Sequence, residues 1–117
     1  MLDAGMPPSS RLRRAADFAA LRKPTGRLGS ECFRIRYRDN EVGFARLGQA
    51  VSRRVSKRAV DRNRIKRIVR ESFRHARAAL PPVDVLVVAN PSAAACPGAE
   101  LRAELDRLWE RLRQRAR

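Results

Sequence analysis

The stretch that most limits what this chain can become is Val83 to Ala89, VDVLVVA, a near-continuous apolar run in a protein that is 33% charged. A run of strand length with no wet side predicts a strand covered on both faces, in the interior of a sheet. Pro81 and Pro82, just before it, must stop the long helix-period segment that precedes them. The order strand, helix, strand then sets Val83 to Ala89 parallel to the strand before that helix. With 117 residues there is enough chain for one domain with a real core and too little for two. That domain is read as residues 11–117. Residues 1–10, with Pro7, Pro8, Ser9 and Ser10, are read as a disordered tail.

Upstream, Arg11, Arg13 and Arg14 precede a short helix around Ala15 to Arg22, with Phe18 and Leu21 as its apolar pair, ended by Pro24, Thr25 and Gly26. Glu31 to Arg38 alternates cleanly and predicts a strand, with Phe33, Ile35 and Tyr37 on one side and Cys32, Arg34, Arg36 and Arg38 on the other. A weaker strand is drawn at Arg27 to Ser30. Asp39 to Gly43 is read as a hairpin connection into a second strand, Ala45 to Ser52, antiparallel to the first. An arginine-rich sheet face beside an aromatic suits single-stranded nucleic acid, through phosphate pairing and base stacking. After the apolar strand, Asn90 to Pro97 is a loop. The last helix carries Leu101, Leu105, Leu108 and Leu112 on one side, with Trp109 as core and a far side of mixed sign.

Charge is concentrated in Arg53 to Arg77, RRVSKRAVDRNRIKRIVRESFRHAR, which holds eleven Lys or Arg against Asp61 and Glu71, a formal +9 of the chain's +15. On a helix, Ile65, Ile68, Val69, Ser72, Ala76 and Ala79 form a mostly apolar stripe, and Ser56 is a candidate N-cap. Asn63, Arg67, Arg70, Arg74 and Arg77 form a second stripe, with Arg62 and Lys66 beside it. Two acids cannot neutralise eleven cations, and like charges a turn apart repel. A buried side behind a cationic side is the footprint of a polyanion-binding helix.

Other classes find little support. No apolar run approaches bilayer-spanning length and no signal peptide opens the chain, so a cytoplasmic protein without membrane contact is expected. Cys32 and Cys96 stand far apart with His75 the only histidine, so they are read as free thiols with no zinc ligand set and no metal site. The twelve acids are scattered, and His75 has no carboxylate or nucleophile in a catalytic pattern, so no catalytic residue is assigned. The residues alone stop at a small basic α/β protein that binds RNA or DNA. A structural, non-catalytic nucleic-acid-binding protein of ribosomal type fits that description.

Ala59 to Phe73, AVDRNRIKRIVRESF, resembles the arginine-rich signature of the protein subunit of bacterial ribonuclease P, centred on Arg62-Asn63-Arg64. The likeness extends to LGQAVSRRVSK, LPPVDVLVVA and the Leu-Trp of the last helix, in order and spacing from about Arg11 to Arg113. The resemblance implies an α/β (α+β) three-layer sandwich, its small mixed sheet holding a left-handed βαβ crossover against the usual hand, as in the second domain of ribosomal protein S5. It also implies a protein cofactor that joins a catalytic RNA to remove the 5′ leader of precursor tRNA. On that reading one protein serves each RNA, the RNA holds the Mg²⁺, and the protein alone is inactive. Carried over by position, Arg53, Arg54, Arg58, Arg62, Asn63, Arg64, Lys66, Arg67 and Arg70 would face the catalytic RNA. Phe18, Phe33, Tyr37, Arg34 and Arg36 would line a leader cleft between the first helix and the sheet. Two positions depart from the family pattern: Arg22 stands where a second aromatic is common, and Asn90-Pro91 where a basic residue is common.

Overall fold

The computed structural model describes residues 11–12 and 15–115, so the tail read at residues 1–10, together with Arg13 and Arg14, lies outside the described residues. In chain order the elements are α1 (Ala15–Ala20), β1 (Gly26–Gly29), β2 (Phe33–Asp39), β3 (Arg46–Ala50), α2 (Ala59–Ala76), β4 (Val83–Ala89) and α3 (Gly98–Arg115). Short 3-10 turns at Arg77–Ala79 and Pro91–Ala95 follow α2 and β4.

The four strands form one mixed sheet in the order β1-β2-β4-β3. As expected, β4 is an interior strand and runs parallel to β3, with Leu47 opposite Val85. The hairpin drawn between β2 and β3 does not form. Although β2 and β3 run in opposite directions, β4 lies between them, antiparallel to β2 with Ile35 opposite Val87. The reason is the apolar run itself: β2 is apolar on one side, whereas β4 is apolar on both apart from Asp84, and the position flanked on both edges falls to β4. Residues 40–45 therefore cross the start of β4. There Asn40 donates its backbone N–H to Pro82 (3.0 Å) and its side-chain amide to Phe44 O and to Asp84, while Gly43 takes a left-handed φ of 99°.

Residues paired directly across a ladder share a face. Phe33, Ile35, Tyr37, Val83, Val85, Val87, Ala89, Leu28 and Leu47 are buried in one cluster with Ile65, Ile68, Val69 and Phe73 of α2 and the leucines of α3. Each fully buried aliphatic side chain there contributes about 1.5–3 kcal/mol relative to exposure. The α2 stripe departs from the sequence reading at one key position: Phe73 is wholly buried, while Ala79 lies past the helix and is exposed. Trp109 is core, as expected. Its ring meets Phe73 edge-on, 5.7 Å between centroids, and its indole N–H donates to Ser72 Oγ at 2.8 Å.

The opposite face of the sheet carries α1. Leu12 and Leu21 are buried but stand outside the main cluster. Phe18 lies over Gly48, where an added Cβ would come within 2.7 Å of its ring, so the helix approaches β3 only because position 48 has no side chain. Arg38 donates to Lys23 O at 2.7 Å, closing the other end of α1 onto β2. Asp84, the one charge in the apolar strand, faces this side and accepts from Arg46 Nε and Nη2, both at 2.8 Å, while Arg46 also reaches Asp17 of α1 at 3.4 Å. The Asp84 hydrogen bonds raise the Arg46 pKa.

Candidate nucleic-acid interface

The interface begins with an anchored helix. With Ile65, Ile68, Val69 and Phe73 fixed in the core, α2 exposes Asn63 and Arg67 to solvent and Arg64, Lys66, Arg70 and Arg74 in part. In this segment Arg58 pairs with Asp61, at 3.9 Å and largely exposed. Arg53, Arg54, Arg64, Lys66, Arg67 and Arg70 have no acidic partner among the described residues. Cations held on a rigid backbone without internal counterions are free to meet phosphates.

The turn leading into α2 is built from within. Ser56, expected as the N-cap, sits two residues too early: Arg58 takes the cap position without a capping side chain. Ser56 Oγ instead accepts the Arg58 N–H at 3.2 Å and donates to Asp61 at 2.9 Å. Arg62 folds back to donate to Ser56 O and Lys57 O, both at 2.9 Å. Arg62 thus holds the basic turn as well as presenting charge, and Arg53, Arg54 and Lys57 are exposed around it.

On the α1 face, Arg34 and Arg36 are exposed and border a cavity of about 310 Å³ floored by Leu86 and Val88 and edged by Arg27. Arg34 also donates to Asn90 Oδ1 at 2.9 Å, so the residue after β4 orients an arginine of this face. A second cavity of about 240 Å³ opens at the β3 edge, where Phe18 and Gly48 meet Arg11, Gln49 and Arg70. Phe18 is 36% exposed and available to a base.

Phe33 and Tyr37 do not belong to this cleft. They are 0% and 4% exposed and point to the α2–α3 side, opposite Arg34 and Arg36, because successive residues of a strand alternate. Tyr37 packs across Gly26, the position paired with it, where a Cβ would collide with its ring. Arg11, Gln49 and Gly48 line the cleft and were absent from the sequence assignment. Gly48 carried a signal, since glycine inside a strand marks close approach by another group. Arg11 sits there because it bridges to Leu47 alongside β3, a long-range pairing with no local signature.

The carboxylates on these surfaces are engaged structurally, Asp17 and Asp84 with Arg46 and Asp61 with Ser56 and Arg58. Among the described residues one group could hold a metal ion, Cys32, Cys96 and Glu104, and it shares no residue with the cationic surface.

Comparison with known proteins finds relatives along nearly the whole chain. The chain is 43% identical over 111 residues to the ribonuclease P protein component of Thioalkalivibrio sulfidiphilus, covering 95% of this chain and 92% of that one. It is 38% identical over 104 residues to that of Legionella pneumophila strain Lens, covering 89% and 90%. Among solved structures, the RNase P protein of Thermotoga maritima superposes with a TM-score of 0.76 at 31% identity, over 86% of this chain and 96% of that one. That of Staphylococcus aureus superposes at 0.80 and 27% identity, over 86% and 93%. The family model for Ribonuclease P matches residues 6–113, and with the fold in agreement, the chain belongs to the ribonuclease P protein family.

Proposed function

We propose that this chain is the protein subunit of ribonuclease P, the endoribonuclease complex that matures the 5′ end of tRNA, and that it acts as a cofactor to a catalytic RNA. The observation that carries this is α2, whose cations are backed by a packed core and left without acidic partners. Arg53, Arg54, Arg58, Arg62, Asn63, Arg64, Lys66, Arg67 and Arg70 meet the RNA subunit through its phosphates. The precursor-tRNA leader lies on the α1 face of the sheet, with Phe18 stacking on a base and Arg34 and Arg36 pairing with phosphates. Catalysis resides in the RNA, which holds the Mg²⁺. The protein's charge lowers the repulsion between leader and RNA, so that substrate and metal bind more tightly.

The test is cleavage of precursor tRNA at low Mg²⁺ by a bacterial ribonuclease P RNA, with and without this protein. Wild type is expected to restore cleavage, the combined Lys66→Ala, Arg67→Ala and Arg70→Ala variant to fail, and protein alone to be inert. Tight RNA binding with no effect on cleavage would instead make the chain a structural RNA-binding protein.

A further inference from the structure

Cys32 and Cys96 lie 64 positions apart in the sequence, yet the fold closes them onto one carboxylate. Their sulfurs and an oxygen of Glu104 all fall within 4.8 Å of one another. Each donor comes from a different place: Cys32 immediately precedes β2, Cys96 follows the 3-10 turn after β4, and Glu104 lies in the second turn of α3. Cys32 and Glu104 are buried, at 2% and 9% exposure, and Cys96 is half-buried. Glu104 is fixed by the Ser30 hydroxyl at 2.5 Å and the Cys32 N–H at 3.0 Å, both donated to Oε1. On the solvent side a cavity of about 300 Å³ is bordered by Cys32, Cys96, Ser92 and Glu100. Glu100 Oε2 stands 3.5 Å from the Cys96 sulfur.

We propose that Cys32, Cys96 and Glu104 form a Zn²⁺ site, with Glu100 supplying the fourth ligand from the cavity side. Zinc takes thiolate sulfur at about 2.3 Å and carboxylate oxygen at about 2.0–2.2 Å, so tetrahedral donors stand about 3.5–3.8 Å apart. The Cys32, Cys96 and Glu104 donors, within 4.8 Å of one another, need to close by about 1 Å to reach that spacing. A disulfide would require the sulfurs to close to about 2.05 Å. Binding replaces two S–H bonds with two S–Zn bonds and releases two protons to solvent. The ion would pin the start of β2 to α3 and to the segment after β4, reinforcing the end of the sheet at which Asn90 orients Arg34.

The test uses the full chain, reduced and metal-free, titrated with Co²⁺ and then Zn²⁺. Co²⁺ is expected to give thiolate-to-metal charge transfer and tetrahedral d–d bands that saturate at one equivalent and vanish on adding Zn²⁺. Calorimetry in buffers of different ionisation enthalpy should count about two protons released per Zn²⁺. Cys96→Ser, at the half-buried position, should abolish the bands while keeping the wild-type circular dichroism spectrum, and Glu104→Gln should shift saturation to higher metal. Zn²⁺ should raise the melting temperature of wild type and leave Cys96→Ser unchanged. The proposal is overturned if reduced wild type gives no thiolate bands, if Cys96→Ser gives the same bands, or if the thiols are found as a disulfide in reducing buffer.

Discussion

Helices α2 and α3 are the same length, 18 residues each, and both lay an apolar stripe into the same core. They are also alike in arginine, so a count of basic residues would not separate them. The difference is in what the arginines meet. α2 has six cations and two acids, whereas α3 has five and four. In α3 three of the five arginines are turned inward on the protein. Arg113 pairs with Glu110, Arg111 donates to Gly29 O at 3.1 Å and Arg115 to Arg27 O at 3.3 Å, tying the helix to β1. In α2 most of the exposed charge has no such use. An interface helix is marked by cations lacking an internal acceptor rather than by cations as such.

The hardest way to break the comparison is at the joint between the two helices. Trp109→Ala removes the ring that meets Phe73 and leaves a cavity, and is expected to lower stability by about 3–5 kcal/mol in chemical denaturation. The folded fraction should still bind RNA with an unchanged salt dependence. The Lys66→Ala, Arg67→Ala, Arg70→Ala variant should do the reverse. Its stability should match wild type, while the slope of log affinity against log salt for RNA falls by about two. Arg102→Ala with Arg107→Ala on α3 should leave that slope unchanged, and an equal loss from both helices would erase the distinction.

Smaller effects sharpen it. Ser72→Ala strands the Trp109 N–H and is expected to cost about 1–2 kcal/mol in thermal unfolding, with RNA affinity unaltered. For Glu104, burial works to raise the carboxyl pKa, and the Ser30 and Cys32 donors outweigh it, so the pKa lies below its ordinary 4.5. Between those two values the unfolded chain binds more protons than the folded one, so this stabilisation is present above the ordinary value and lost as pH falls through the depressed one. The melting curves of wild type and Glu104→Gln should therefore lie apart near neutrality and converge in acid.

Periodicity made much of the fold legible. The alternation of β2, the apolar run of β4 and the leucines of α3 each name their own element, because each pattern is local. What stayed hidden was non-local: which strand sits between β2 and β3, the reach of Arg11 to Leu47, and the meeting of Cys32 with Cys96. Phe73 was omitted from the α2 stripe although its offset of eight from Ile65 placed it there. The assignment of Phe33 and Tyr37 to the cleft was at odds with the alternation that defined their strand, since residues alternating with Arg34 and Arg36 cannot share a surface with them. The cationic stripe was legible because its excess of charge over acid is visible in composition alone.

The placement of β4 has a consequence for the order in which this protein is made. Its central strand is the last of the four to leave the ribosome, and β2 and β3 have no shared neighbour until Ala89 has been synthesised. For that interval α2 is already complete and its apolar stripe has no sheet to cover it. The nascent chain then exposes a basic amphipathic segment in surroundings rich in RNA. A chain ending at Leu80 would keep every cation of α2 and lack the strand that gives the helix its fixed direction.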